Sequence, residues 1–129
     1  MAWVLLDNHY HGATVPEEAP SLSKMLARLH AITAKELNAE DGTPGRQVWY
    51  SHWDKVLYTE GDLCSRINYI HRNPVKHGYV RDPADWQWSS YRDFATLGNP
   101  ELAEQLARFP APMRLPGDVF PLPGERDNA

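Results

Sequence analysis

The N-terminal segment places the strongest constraint on how this chain can fold. An apolar run, Ala2 to Leu6, is separated by the pair Asp7-Asn8 from a second extended segment, His9 to Val15. This pattern predicts a β-hairpin. A two-stranded hairpin is at best marginally stable in water, so further elements must pack against it. We therefore expect a mixed fold in which helices and one more strand cover the hairpin.

The middle of the chain predicts a helix followed by a strand. Apolar residues recur at helical spacing between Ser21, a predicted cap, and Leu37. A loop containing glycine and proline follows, from Asn38 to Gln47. Val48 to Tyr58 is rich in aromatic and β-branched residues and predicts a strand.

A second helix is predicted from Glu60 to Asn73, capped by Thr59 and stopped by Pro74. Its expected buried stripe holds Leu63, Ile67 and Ile70, with Cys64 packed and inert beside it, and a separate stripe holds Asp62, Arg66, Tyr69 and Asn73. Further on we expect a loop carrying Trp86 and Trp88, a short helix from Pro100 to Arg108, and an extended or poorly ordered proline-rich tail from Pro110.

Composition favours one globular domain in a reducing compartment. The chain has 129 residues, one cysteine and a net charge of −4, so an internal disulfide is excluded. No stretch approaches the roughly 20 apolar residues that span a bilayer, and we predict a cytoplasmic protein. The overall charge does not indicate a nucleic-acid binder, but a local basic strip without acidic residues could hold phosphates: Arg66, Arg72, Lys76 and Arg81.

Two pairs of side chains carry the chemistry. His9 and His11 are two apart on a predicted strand, so their imidazoles share one face. Tyr69 and Asn73 are four apart on a predicted helix, so a phenol and an amide are neighbours. Two imidazoles, an amide oxygen and a tyrosine are the components of a metal-assisted site with a tyrosine nucleophile.

At these residues the chain resembles the REP-associated tyrosine transposases, a branch of the single-tyrosine HUH transposases of bacterial insertion sequences. The resemblance covers roughly residues 3 to 94. It predicts a transposase-like domain of residues 1–94, which is followed by a C-terminal extension of residues 95–129. Four segments carry it in order: Trp3-Val4-Leu5-Leu6-Asp7-Asn8-His9-Tyr10-His11, Arg46-Gln47-Val48-Trp49-Tyr50, Asn68-Tyr69-Ile70-His71-Arg72-Asn73-Pro74-Val75-Lys76-His77-Gly78 and Trp86-Gln87-Trp88-Ser89-Ser90-Tyr91.

The resemblance implies an α+β, ferredoxin-like fold, an antiparallel sheet packed with helices, from which the first strand and helix are missing. It also implies cleavage and joining of single-stranded or hairpin DNA through a 5′-phosphotyrosine intermediate. Carried over, Tyr69 is the nucleophile, and His9, His11 and Asn73 hold Mg²⁺ or Mn²⁺. Arg66, Arg72 and Lys76 are the expected DNA contacts, and a homodimer is possible. Either a partner covers the exposed sheet edge, or this sequence is the back part of a longer one.

Other interpretations of the same residues remain open. The chain could be an inactive transposase remnant that at most binds nucleic acid, or a metal-dependent hydrolase that does not use Tyr69. Three further histidines, His52, His71 and His77, are expected to be structural or exposed rather than metal ligands. Trp86 or Trp88 could stack on an unpaired base, but core packing is the more common role of such residues, as it is for Trp49 and Trp53.

Overall fold

The computed structural model describes residues 1–50, 54–113 and 115, without the side chains of Ala19 and Pro20. The predictions made for His52 and Trp53, and for most of the tail, lie outside the described residues. The chain divides into two compact units, one of residues Val15–Lys55 and the other of Met1–Thr14 together with the chain from Val56 onward. Each is described by itself.

The predicted hairpin is confirmed. Strands β1 (Ala2–Leu5) and β2 (Tyr10–Ala13) pair antiparallel, with Val4 opposite His11. The turn over Asp7-Asn8 closes where the Leu6 amide donates to the His9 carbonyl at 2.8 Å. Val4 is completely buried. Because directly opposed residues share one face of an antiparallel pair, His11 lies on the buried face.

The other edge of β1 is paired with the segment around Ser89. The Leu5 amide donates to the Trp88 carbonyl at 2.8 Å, and the Ser90 amide donates to the Trp3 carbonyl at 3.0 Å. The Trp86 indole donates to the Leu5 carbonyl at 2.8 Å and its ring packs against the core. This segment, predicted only as a loop, therefore covers part of a sheet edge that was expected to be exposed.

Helix α2 (Glu60–Lys76) begins as predicted, with Thr59 Oγ1 accepting from the Asp62 amide at 3.0 Å. The prediction that Pro74 stops this helix is wrong. Proline removes one backbone donor, and in the last turn of a helix that loss is small compared with the packing around it. The helix ends at Lys76, with His77 as its C-cap. Gly78 follows with a φ of 78°, which allows its own amide and that of Tyr79 to bond back to the last turn.

The core of this unit lies between the hairpin and α2. Ala2, Val4, Ile67 and Ile70 form its buried centre, and Cys64 is buried as predicted. Leu63, predicted to belong to the buried stripe, is instead 37 % exposed. In the separate stripe, Tyr69 and Asn73 are buried too, because α2 packs against both strands and against a further helix, whereas Asp62 is exposed and Arg66 half-buried.

Two shorter helices follow α2 in the same unit. Helix α3 (Tyr91–Thr96) was not predicted, whereas α4 (Pro100–Arg108) has the predicted bounds. Asn68 on α2 donates from its side-chain nitrogen to the carbonyls of Leu106 and Phe109, both at 2.8 Å. The end of α4 is thereby attached to the middle of α2.

In the other unit, α1 (Ala19–Glu40) forms the predicted long helix. The prediction of Ser21 as its cap is wrong, because Glu18 holds the cap position and Ser21 donates back to the Glu18 carbonyl. Several apolar side chains of α1 are exposed, namely Met25, Leu29, Ile32 and Leu37. Within the described residues, no helix is both long and apolar enough to cross a membrane.

The predicted strand Val48–Tyr58 is not formed by any of its described residues, which are 48–50 and 54–58. Trp49 packs instead on α1, where its ring stacks on His30 at 4.6 Å between centroids and its indole donates to Thr33 at 2.9 Å. Strand propensity mainly reflects packing on a sheet, and here the aromatic residue packs on a helix. The predicted α+β fold class is confirmed, with one two-stranded antiparallel sheet and four α-helices in the described parts of the chain.

Candidate active site

The hairpin and α2 bring both predicted histidines and the predicted tyrosine together. The His9 and His11 rings lie 5.1 Å apart between centroids and are perpendicular. The His11 ring meets the Tyr69 ring edge to face at 5.5 Å. Because Val4 packs on α2 and His11 lies opposite Val4, the strand register directs this imidazole toward the helix. Residues far apart in sequence therefore form one cluster.

Asn73 lies one helical turn beyond Tyr69 and is completely buried. The two remain neighbours because α2 continues through Pro74. The Asn73 amide is close enough to His9 to raise the pKa of that imidazole, yet neither amide atom forms a hydrogen bond of normal geometry with a described residue. A buried amide with unused donors and acceptors is costly unless a ligand or water satisfies it.

His77 belongs to the same cluster, although the sequence analysis left it outside the site. It is 7 % exposed, and its ring lies 5.1 Å from the His9 ring. A signal was present in the sequence: Tyr69, Asn73 and His77 follow one another at i, i+4 spacing and so share a helix face. The predicted stop at Pro74 concealed this continuity.

Burial keeps the imidazoles of His9 and His11 neutral near neutral pH. Burial, the nearby His77 and Lys76 together lower the pKa of His9 to about 4, despite the opposing effects of Asn73 and Asp7. Burial first, and then electrostatic repulsion from His9 and Lys76, lower the pKa of His11 to about 3. Neutral imidazole is the form that binds metal. These histidines therefore present lone pairs rather than charges near neutral pH.

The donor set agrees with a divalent cation that also needs ligands from outside the protein. His11 Nε2 is buried without a hydrogen-bond partner among the described residues, as are both amide atoms of Asn73. Two imidazoles and an amide oxygen leave coordination positions open for phosphate oxygens and water, the ligands that Mg²⁺ and Mn²⁺ prefer. In the described part of the chain, no three or more His, Cys, Asp or Glu side chains are arranged to hold a metal alone.

The three predicted DNA-binding residues differ in their positions. Lys76 lies in the cluster, where its ammonium donates to the Tyr69 hydroxyl at 2.7 Å and lies 4.4 Å from the centre of that ring. Arg66 is half-buried, and burial lowers the pKa of its guanidinium while Asp62 opposes that change. The charge of Arg66 also helps to lower the pKa of His11. Arg72 is exposed. The basic strip therefore extends from the cluster to the surface.

Tyr69 is only 1 % exposed. The phenol is therefore closed to solvent in this structure.

His71 lies on a different face of α2. Its ring pairs through Nε2 with Ser90 Oγ at 2.8 Å and packs edge to face on Tyr91 and Phe94. Burial lowers its pKa to about 4. Ser90 Oγ also accepts from the Trp3 amide at 2.9 Å. His71 therefore attaches α2 to strand β1 rather than entering the cluster.

Comparison with known proteins gives two relatives. A REP-associated tyrosine transposase of Escherichia coli K12 is 31% identical over 97 residues, which cover 73% of this chain and 55% of the relative. A protein of Haemophilus influenzae that is named "Putative REP-associated tyrosine transposase" is 40% identical over 64 residues, which cover 43% of this chain and 36% of the relative. The chain spans about half the length of the first relative. No family model and no solved structure matches the chain.

Both relatives are tyrosine transposases by name. More specifically, the chain is a relative of the REP-associated tyrosine transposases, and the resemblance carried by its four motifs is confirmed.

Proposed function

We propose that this chain is a transposase-like enzyme that cleaves and rejoins single-stranded DNA, with Tyr69 as its nucleophile. The observation that carries the proposal is the meeting of Tyr69, His9, His11 and Asn73 in one buried cluster built by the hairpin and α2. The relatives are named as tyrosine transposases, and that name agrees with a tyrosine at the centre of the cluster.

The proposed reaction is a transesterification at a phosphodiester. The Tyr69 oxygen forms a bond to phosphorus, and the bond from phosphorus to the 3′ oxygen breaks, leaving a 3′-hydroxyl and a 5′-phosphotyrosine. Rejoining is the reverse attack by a 3′-hydroxyl. A phenol near its ordinary pKa of ~10 is a weak nucleophile at neutral pH, so its surroundings must stabilise charge on its oxygen.

The residues that would hold Mg²⁺ or Mn²⁺ are His9, His11 and Asn73. Bound there, such an ion would polarise the scissile phosphate and neutralise charge that develops on its oxygens. The neutral state of both imidazoles and the unused polar atoms of Asn73 and His11 support this assignment.

The DNA is proposed to approach along the basic strip. Arg72 is exposed and Arg66 half-buried on the helix that carries Tyr69, so both could bind phosphates flanking the cleaved bond. Trp88 is 54 % exposed beside β1, whereas Trp86 packs in the core. Trp88 is therefore the better candidate for stacking on an unpaired base of a single-stranded or hairpin substrate. A homodimer remains a prediction.

The proposal is tested by incubating the chain with Mn²⁺ and short single strands that carry hairpins. A covalent protein–DNA adduct that resists denaturation is expected. Tyr69→Phe should abolish this adduct while leaving DNA affinity within about threefold, since only one hydroxyl is removed. Tyr58→Phe is the matched control, because Tyr58 is 86 % exposed and its substitution should leave the adduct yield unchanged.

A non-catalytic DNA-binding remnant is the second candidate, and the burial of the Tyr69 hydroxyl favours it. It predicts no adduct from the native chain with any divalent ion. A metal-dependent hydrolase gives a third outcome, DNA cleavage that survives Tyr69→Phe but not His9→Ala. Either result would exclude the proposed phosphotyrosine route.

A further inference from the structure

The Lys76 ammonium contacts the hydroxyl oxygen of Tyr69, the proposed nucleophile. Its ammonium lies 2.7 Å from the Tyr69 hydroxyl and 4.4 Å from the centre of the ring. An ammonium can only donate hydrogen bonds, so the phenolic oxygen must be the acceptor. One lone pair of that oxygen is thus used by Lys76, and the hydroxyl proton points elsewhere. This contact is distinct from the phosphate contact that the sequence predicts for Lys76.

The geometry of α2 makes the contact possible. Tyr69 and Lys76 are seven residues apart, close to two full turns of an α-helix, so both lie on the face that carries the cluster. Lys76 also lies in the last turn, where the helix dipole favours a cation. Its side chain is only partly exposed and Tyr69 is buried, so solvent screens this contact less than it would screen a surface pair.

We infer that Lys76 is a catalytic residue that holds the Tyr69 oxygen and stabilises the negative charge on it during cleavage and rejoining. The inference rests on the proposed function. In cleavage, the oxygen–phosphorus bond forms, the phenol proton passes to water, and the departing 3′ oxygen takes up a proton. In rejoining, a 3′-hydroxyl loses its proton to water as its oxygen bonds to phosphorus. The tyrosine–phosphorus bond then breaks, and its electron pair remains on the phenol oxygen beside the ammonium.

Lys76→Met removes the ammonium and keeps most of the side-chain length. In single-turnover reactions at saturating hairpin DNA with Mn²⁺, we expect adduct formation to slow on the order of 100-fold, the usual effect of removing one preorganised donor from a developing charge. The dissociation constant for DNA should change less than threefold. Lys76→Arg keeps the charge and should recover at least a tenth of the native rate. Lys35→Met removes an exposed lysine of α1 and should behave as the native chain.

A second measurement needs neither DNA nor metal. Tyrosine labelled with ¹³C at Cζ gives one NMR signal per residue, and the signal lost in Tyr69→Phe identifies Tyr69. Lys76→Met should shift that signal, whereas Lys35→Met should not. Circular dichroism of each variant checks that the helices remain.

The outcomes separate the inference from the proposed function. If Lys76→Met weakens DNA affinity but keeps the native rate at saturating DNA, Lys76 is only a phosphate contact and the inference is wrong. An unchanged Tyr69 NMR signal in Lys76→Met would also overturn it. If the native chain forms no adduct at all, the proposed function fails and the inference fails with it.

Discussion

Two faces of α2 bury polar groups in opposite ways. One, which we call the anchoring face, carries His71, and its imidazole pairs with Ser90 while Ser90 pairs with the backbone of Trp3. The other, the cluster face, carries Tyr69, Asn73, Lys76 and His77. There the Asn73 amide is completely buried without a normal hydrogen bond to any described residue.

The difference indicates which face of α2 contributes mainly to stability and which face holds the candidate site. Buried polar groups are normally satisfied, because an unsatisfied one costs about 1–3 kcal/mol. The anchoring face obeys this rule and uses its polar groups to attach α2 to β1. The cluster face gathers imidazoles, an amide and a lysine in the cluster that contains Tyr69, which is expected where a ligand completes the site.

The largest effect on stability should come from the apolar centre that supports both faces. Ile70 is completely buried in the core against the hairpin. Ile70→Ala should lower the free energy of unfolding by about 2–5 kcal/mol through lost burial and a cavity. Leu63→Ala, on the same helix but partly exposed, should cost clearly less. Urea unfolding of the two variants measures the difference, and equal losses would contradict the described packing of α2.

Two matched substitutions, each of which deletes one hydroxyl, test the comparison between the faces most directly. Ser90→Ala should lower the free energy of unfolding by about 1–3 kcal/mol, because His71 and the Trp3 amide lose their partner. Its adduct yield, measured well below the melting temperature, should stay near the native level. Tyr69→Phe should abolish the adduct and cost less stability than Ser90→Ala, because its partner Lys76 is only part-buried and water can take the place of the hydroxyl. If both variants lost stability alike and both kept the adduct, the division into anchoring and functional faces would be wrong.

Acid should destabilise the chain through the histidines of both faces. Burial lowers the pKa of His71 to about 4, that of His9 to about 4 and that of His11 to about 3, below the ~6.5 of an unfolded chain. Between these values the unfolded chain binds protons that the folded chain does not. Stability is therefore fully present above pH ~6.5 and falls as the pH drops toward 4, by on the order of 1 kcal/mol per pH unit for each histidine.

Urea unfolding at several pH values measures this slope. His71→Gln should reduce the slope by the contribution of about one proton, because a side chain that does not titrate replaces a histidine of the anchoring face. A slope unaffected by His71→Gln would mean that His71 is not held neutral in the folded chain.

Much of the site was predictable because its parts are local. Strand periodicity places His9 beside His11, and helical periodicity places Tyr69 beside Asn73. The Asp7-Asn8 turn and the Thr59 cap are likewise short-range signals, and each appears in the structure where it was expected. Such features depend on a few neighbouring residues, so the sequence by itself determined them.

Only the tertiary structure decided how these parts meet. Packing around α2 carries the helix through Pro74, which adds His77 and Lys76 to the cluster. The segment at Ser89 pairs with β1, while Trp49 packs on α1 and the expected strand there does not form among the described residues. Each of these outcomes depends on contacts between distant residues and on which surfaces become buried, and neither propensity nor spacing along the chain contains that information.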